Sequence, residues 1–516
     1  MNSRNRREFL EDVGRGMLVA TLGSAAAFDL GISRCIADEP SQRLTFGALE
    51  PLVSLMQETP PDKLLPLLVA KLKSGTEVKT LVSAAALANA RAFGGQDYTG
   101  YHTFMALVPA FRMSGELPSE RRALPVLKVL YRNSSRIQDQ QVAQRDTFHP
   151  VEAAKPVDGD RAKWLRDAIR AADLHDAEAR FAAIAAGPAN DAFNQLQLAV
   201  EDDVNVHRVV LAWRSWAMLE LTGQQYANTL LRQSVRFCID SEQEMKKHER
   251  PKPAVRDVLP RLLDEHHLVG KSLGDRKAED SQVEELAHVI FSNSREQAAE
   301  ATAVALSEGM DPESVGEAIS LAANLLLLHD PGRLERNSTP QKPPGCVHGD
   351  STGVHASDAA NAWRNIARVS TPQNKVSALI VGAFHTAGQF EQVTKDPYPY
   401  AALLDGIDSK DGTELLGETE VAIRGKDQAR ACALVHRYGE LKLPERPVFD
   451  LMLKYAVSED GALHAEKYFW TVNEEFATTR PAFRWRQLVA LARVTASEFG
   501  YPAPGFQEAC GLLGVT

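Results

Sequence analysis

Four times in this chain a histidine heads an apolar helical run, and the four runs form two pairs at nearly equal separation. Gly100-Tyr101-His102-Thr103-Phe104-Met105 matches Gly353-Val354-His355-Ala356-Ser357-Asp358, 253 residues further on. Val206-His207-Arg208-Val209-Val210-Leu211 matches Leu463-His464-Ala465-Glu466-Lys467-Tyr468, 257 residues further on. Other landmarks keep this register: Asp176-Ala177-Glu178 against Asp427-Gln428-Ala429, 251 residues apart, and Phe193-Asn194 against Phe449-Asp450. Self-similarity at a fixed period constrains a fold strongly, because each copy has the same face to bury. The reading is a chain built by doubling.

The pattern inside each copy is helical. Apolar residues recur at spacings of three and four, as in Leu64, Leu65, Leu68 and Leu72, while alternating Val, Ile and Thr runs are nearly missing. The predicted fold class is all-α: an internally duplicated helical repeat or bundle with pseudo-two-fold related halves. The expected divisions are a leader at 1–37, a first half at 38–242, a charged linker at 243–281 and a second half at 282–516. Residues 133–162 are polar and poorly periodic and are predicted as a further linker.

Apolar content of 44% supplies a sizeable core. A formal charge of −10 argues against a nucleic-acid surface, which needs a basic face. A membrane span is not predicted, since it needs about 18 or more continuous apolar residues and the run Ile319–Leu328 stops at ten. Beyond the leader the cysteines are Cys238, Cys346, Cys432 and Cys510. Their wide spacing excludes CxxC zinc ribbons and c-type haem attachment, and leaves disulfide pairing open. Neither a Gly-rich phosphate loop nor a Gly-x-Ser-x-Gly elbow occurs, so no nucleotide cofactor and no serine hydrolase is expected.

The chemistry-bearing residues are therefore the histidines. Neutral imidazole is a common ligand for Zn, Cu and Fe. If the two halves face one another, His102, His207, His355 and His464 converge and can hold a transition metal or a non-covalent haem. Asp358 lies at i+3 from His355, on the same helix face, as a further ligand or a carboxylate that orients the ring. His385 takes the place that Arg132 holds in the first half and joins the candidate ligands. The same four histidines can instead cap helices or satisfy buried carbonyls, and duplication copies such roles equally well. Trp213-Arg214 and Trp363-Arg364 recur on two of the His helices and line either a pocket or the core. Glu265-His266-His267 lies in the charged linker. Cys346-Val347-His348-Gly349-Asp350 has ligand-type residues and is expected as a flexible polar loop.

Two resemblances add to this. Arg6-Arg7-x-Phe9-Leu10, followed by a weakly apolar stretch from Val13 to Ile32 and by Cys35-Ile36-Ala37, resembles a twin-arginine export signal. That resemblance implies the twin-arginine export machinery as partner, passage in the folded state and a periplasmic or otherwise exported location. The His-led helix followed by an apolar helix resembles the questin-oxidase-like helical family, without assigning any residue a role. The expected function is an exported, His-lined metal- or haem-dependent oxidoreductase acting on a small molecule. The alternative is a helical-repeat binding or scaffold protein of the cell envelope with structural histidines.

Overall fold

About half of the helices begin at a capping side chain, among them Asp97, Asp160, Asn205, Ser294, Asp311 and Ser351. The computed structural model describes residues 43–139 and 146–515, so the leader lies outside the described residues. In chain order the α-helices are α1 (Glu50–Glu58), α2 (Pro61–Lys73), α3 (Val78–Phe93), α4 (Tyr98–Glu116), α5 (Leu124–Asp139), α6 (Arg161–Arg170), α7 (Leu174–Ala185) and α8 (Ala189–Val200). They continue with α9 (Val206–Thr222), α10 (Ala227–Lys247), α11 (Val255–Glu265), α12 (Asp280–Ser292), α13 (Arg295–Ser307), α14 (Pro312–Leu328), α15 (Thr352–Val369) and α16 (Pro372–Ala387). The last are α17 (Gly412–Arg424), α18 (Gln428–Glu440), α19 (Arg446–Ser458), α20 (His464–Thr478), α21 (Trp485–Glu498) and α22 (Phe506–Leu513). Of the described residues 71% are helical, and among them three isolated β-bridges stand in place of any sheet. The fold is all-α. No helix of the described residues is long and apolar enough to cross a membrane.

Four helices carry the candidate site: α4, α9, α15 and α20. Each packs on the next, and α20 closes the circuit on α4. α15 and α20 run parallel, since contacts climb both helices together: His355 with His464, Asp358 with Thr471, Asn361 with Glu475. α3 backs α4, and α14 backs α15.

The glycine shared by the two best-matched runs has a packing reason. A Cβ on Gly100 would stand 2.6 Å from the Phe93 ring of α3. A Cβ on Gly353 would press into the Leu327 backbone of α14. Only glycine admits so close an approach. It places the His helix hard against the helix before it, with the histidine two residues further along.

Two expected linkers are partly helical. α5 extends to Asp139, inside the polar stretch 133–162, burying Asn133, Ser134 and Ile137. Asn133 Oδ1 accepts from Asn89 and from Thr103, so polar residues here build a buried network that period-based reading takes for a loop. The stretch 243–281 holds the end of α10 and all of α11, which packs on α13 and α16. By contacts, residues from Leu44 onward form one unit.

Candidate metal centre

Each of the four histidines lies within the first five residues of its helix. His102 is the fifth residue of α4, His207 the second of α9, His355 the fourth of α15 and His464 the first of α20. Local capping sets three of these starts. Asp97 accepts from the Gly100 N–H at 2.7 Å, Asn205 from His207 and Arg208, and Ser351 from Val354. These are the side chains preferred for capping free N–H groups.

α20 starts differently. Gly461, Ala462 and Leu463 all have positive φ, at 49°, 50° and 66°. The left-handed region costs a non-glycine residue roughly 1–2 kcal/mol, and such strain persists only where the surroundings enforce it. Here it turns the Ala462 carbonyl onto the His464 ring.

The four rings form a closed circuit. Centroid distances are 4.7 Å from His102 to His207, 5.4 Å from His207 to His355, 5.1 Å from His355 to His464 and 5.2 Å from His464 to His102. His102, His355 and His464 each offer a ring nitrogen, all within 4.8 Å of one another. His355 Nε2 and His464 Nε2 are 3.1 Å apart.

The hydrogen bonds settle two tautomers. His102 Nδ1 lies 2.7 Å from the Tyr98 carbonyl, and His464 Nδ1 lies 3.0 Å from the Ala462 carbonyl. A carbonyl only accepts, so both Nδ1 atoms carry the proton and both Nε2 atoms keep a lone pair. Nδ1–H to a backbone carbonyl is the usual second bond of a metal-ligating histidine. The Nε2 atoms of His102 and His207 are buried with no hydrogen-bond partner.

The electrostatics keep these rings neutral. Burial first, then the Lys467 charge, pushes His102 and His464 well below the ordinary histidine value, and His355 down to about 4. Burial and the neighbouring His355 do the same for His207. Helix N-termini also disfavour imidazolium. His102 and His464 are buried, whereas His207 and His355 keep accessible edges. Tyr98, 49% exposed, and the buried Tyr101 lay their rings against His102 and His207, with Tyr101 stacked on His102 and Tyr98 edge-on to His207. Burial, followed by the nearby Asp350 carboxylate, raises the Tyr98 phenol to about 12.

The other sequence candidates have different employment. Asp358 is buried beneath the rings, where its Oδ1 accepts from Thr471 at 3.0 Å and its Oδ2 lies 4.0 Å from Lys467 Nζ. His385 is buried and accepts the Trp363 indole N–H on Nδ1 at 3.2 Å. Asp97, Asp202, Asp460 and Glu466, the other acids near the histidines in sequence, pair with Arg136, Arg170, Arg132 and Lys128. His348 is buried, with its two ring nitrogens on Ser497 Oγ and the Gln341 carbonyl, and Asp350 is clasped by Arg333 and Lys342. The expected flexible loop is thus tied down by its own polar groups. His266 bonds Glu300 at 2.6 Å. Arg364 is paired with Glu475, and Trp363 is core. All four cysteines are free and buried.

Lys467 is the residue that sequence reading passed over, whereas Arg214 is named there with Trp213 as lining a pocket or the core. Lys467 lies inside the matched run Leu463–Tyr468, and its available signal is a long cation on the buried face at i+3 from His464. Compared with protein-family models, curated proteins and solved structures, the chain matches none of them.

Proposed function

We propose that His102, His355 and His464, with His207 as fourth ligand or neighbour of an open position, hold one transition-metal ion, and that the chain is an exported metal-dependent oxidoreductase. The observation that carries this reading is the convergence of ring nitrogens of His102, His355 and His464, from three separate helices, within 4.8 Å of one another, with the His207 ring beside them. Bonds of about 2.0–2.1 Å put the nitrogens of a tetrahedral site about 3.3 Å apart, close to the 3.1 Å between His355 and His464. An all-imidazole, carboxylate-free set suits Zn, Cu, Fe and Ni. Its neutrality leaves the ion's charge undiminished and favours the lower oxidation state of a redox metal.

A bare ion fits better than haem. A haem iron places two axial ligands on opposite sides of a wide macrocycle, and four rings each about 5 Å from the next leave no gap for one. The accessible edges of His207 and His355 support an approach for a small substrate. The equivalent places of the four histidines on the four helices support the reading of a doubled chain. The twin-arginine-like leader accords with export after folding and metal loading.

A second reading has one observation in its favour. His355 can donate Nε2–H to His464 Nε2 across 3.1 Å, so that pair is satisfied without an ion. A helical scaffold protein would then use the histidines as packing.

Elemental analysis of full-length protein from a host with the twin-arginine pathway separates the two. The metal reading expects about one equivalent of Fe, Cu, Ni or Zn, reduced at least tenfold in His355→Ala and His464→Ala. Cu or Fe would be followed by optical and electron paramagnetic resonance spectra and by a measured potential. Protein without metal that refuses added ions leaves the scaffold reading. Stoichiometric zinc would retain the centre and refute the oxidoreductase.

A further inference from the structure

Beneath the four imidazoles lies a layer of charge that the metal reading does not use. Asp358 is three residues beyond His355 on α15, and Lys467 is three residues beyond His464 on α20. Arg214 is seven residues beyond His207 on α9, on the same helix face. The three charges act on one another inside the bundle.

Arg214 is the anomaly. It is 2% exposed, yet among the described residues it makes no ion pair within 4.0 Å and no hydrogen bond, and its Nε is buried without a partner. Other deeply buried arginines are served. Arg91 reaches Gln57, Glu50 and the Leu44 carbonyl; Arg208 reaches two carbonyls; Arg493 reaches the Leu327 and Asp330 carbonyls; Arg364 holds Glu475. A guanidinium does not shed its proton on burial, so a buried one needs a counter-ion.

No internal carboxylate contacts the guanidinium. Asp358 is 4.0 Å from Lys467, beyond hydrogen-bond reach, and its Oδ2 has no hydrogen bond. Glu474, the strongest pull on Arg214, takes hydrogen bonds from Trp470 and Asn365 and makes no ion pair with Arg214 within 4.0 Å. Glu475 is committed to Arg364 and Asn361. Lys467 and Arg214 thus feel the Asp358 and Glu474 charges without a hydrogen bond to either carboxylate.

We propose that Arg214 and Lys467 form a seat for a small oxyanion, a carboxylate or carbonate of three or four heavy atoms, with Asp358 on its flank. The guanidinium offers the paired N–H donors that match two oxygens of one anion, and Lys467 adds a point charge. Arg214, Lys467 and Asp358 are all buried, which limits the guest to a few heavy atoms. Anion binding stands without the metal; only the anion's role as substrate or co-ligand rests on the metal reading.

The test uses full-length, metal-stripped protein titrated with sodium formate and sodium bicarbonate against chloride of equal ionic strength, followed by calorimetry and by melting temperature. The expected result is saturable binding with a rise in melting temperature, weakened at least tenfold in Arg214→Met and severalfold in Lys467→Met. Arg214→Lys keeps part of the affinity. Asp358→Asn, which retains both cations and removes the competing charge, binds severalfold tighter and keeps the experiment decisive should Arg214→Met fail to fold. His464→Ala loses metal and still binds the anion, so the two proposals fail separately. Binding no different from chloride, or equal in wild type, Arg214→Met and Asp358→Asn, overturns the seat.

Discussion

At the scale of single residues, two positions give the clearest readouts. Gly353 lies where a methyl group would meet the α14 backbone at Leu327, whereas a Cβ on Gly115 in α4 meets nothing within 4 Å. Overfilling a tight contact costs typically about 1–3 kcal/mol, while relieving a helical glycine gains up to about 1 kcal/mol. Urea denaturation should therefore find Gly353→Ala destabilised by about 1–3 kcal/mol, with metal weakened because His355 is displaced. Gly115→Ala should be neutral or stabilised.

Glu498 is the second position. Its carboxyl is buried against Gly461, below the left-handed turn that introduces His464. Burial, opposed by Lys128, raises it from 4.5 to about 8. A raised carboxyl contributes stability in full below its unfolded value and loses it as pH rises through the folded one. Between about pH 4.5 and 8 this group should subtract up to about 1.4 kcal/mol per pH unit from stability. Glu498→Gln should flatten that part of the pH profile, and an unchanged slope would refute the assignment.

At the scale of elements, the site is a meeting of helix starts. Three starts are ordinary capped ones, and their caps, Asp97, Asn205 and Ser351, stand in the sequence just ahead of the runs. The fourth is the strained Gly461-Ala462-Leu463 turn. Ala462→Gly should release roughly 1–2 kcal/mol of left-handed strain against about 0.4–1 kcal/mol of added unfolded-chain freedom. Stability by denaturant titration should thus be unchanged or up to about 1.6 kcal/mol higher. Metal affinity should fall, because the Ala462 carbonyl no longer fixes the His464 tautomer and ring. A large loss of stability would mean that the turn is not strained. The acids beside the histidines in sequence show why element-level reading stops short. Asp97, Asp202, Asp460 and Glu466 find cations on other helices, α5, α6, α5 and α5 again, which no spacing within their own runs reveals.

At the scale of the whole molecule, an ion bound at the proposed centre would tie together helices spread over more than 360 residues of chain. A ligand that binds only the folded state stabilises it by mass action, by about 2.7 kcal/mol at a hundredfold excess over its dissociation constant. Thermal unfolding of metal-free protein should shift upward as the chosen ion is added, and the shift should vanish in His102→Ala as in His464→Ala, although those residues are 362 positions apart in sequence. Independent folding halves would instead melt separately, with only one half responding.

The sequence by itself determined the helical class, through three- and four-residue apolar spacing, and singled out the four histidines, because each heads a run of the same shape. It also held the reason for Gly100 and Gly353, though only the α3–α4 and α14–α15 contacts show that reason to be steric. Tertiary structure alone decided the rest. It joined the four rings into one circuit, sent Asp358 to Thr471 and His385 to Trp363, and left Arg214 buried without a partner. Periodicity reports which face of a helix is buried. It does not report which residue of another helix lies opposite, and ligand sets, ion pairs and unpaired charges are made of those opposing residues.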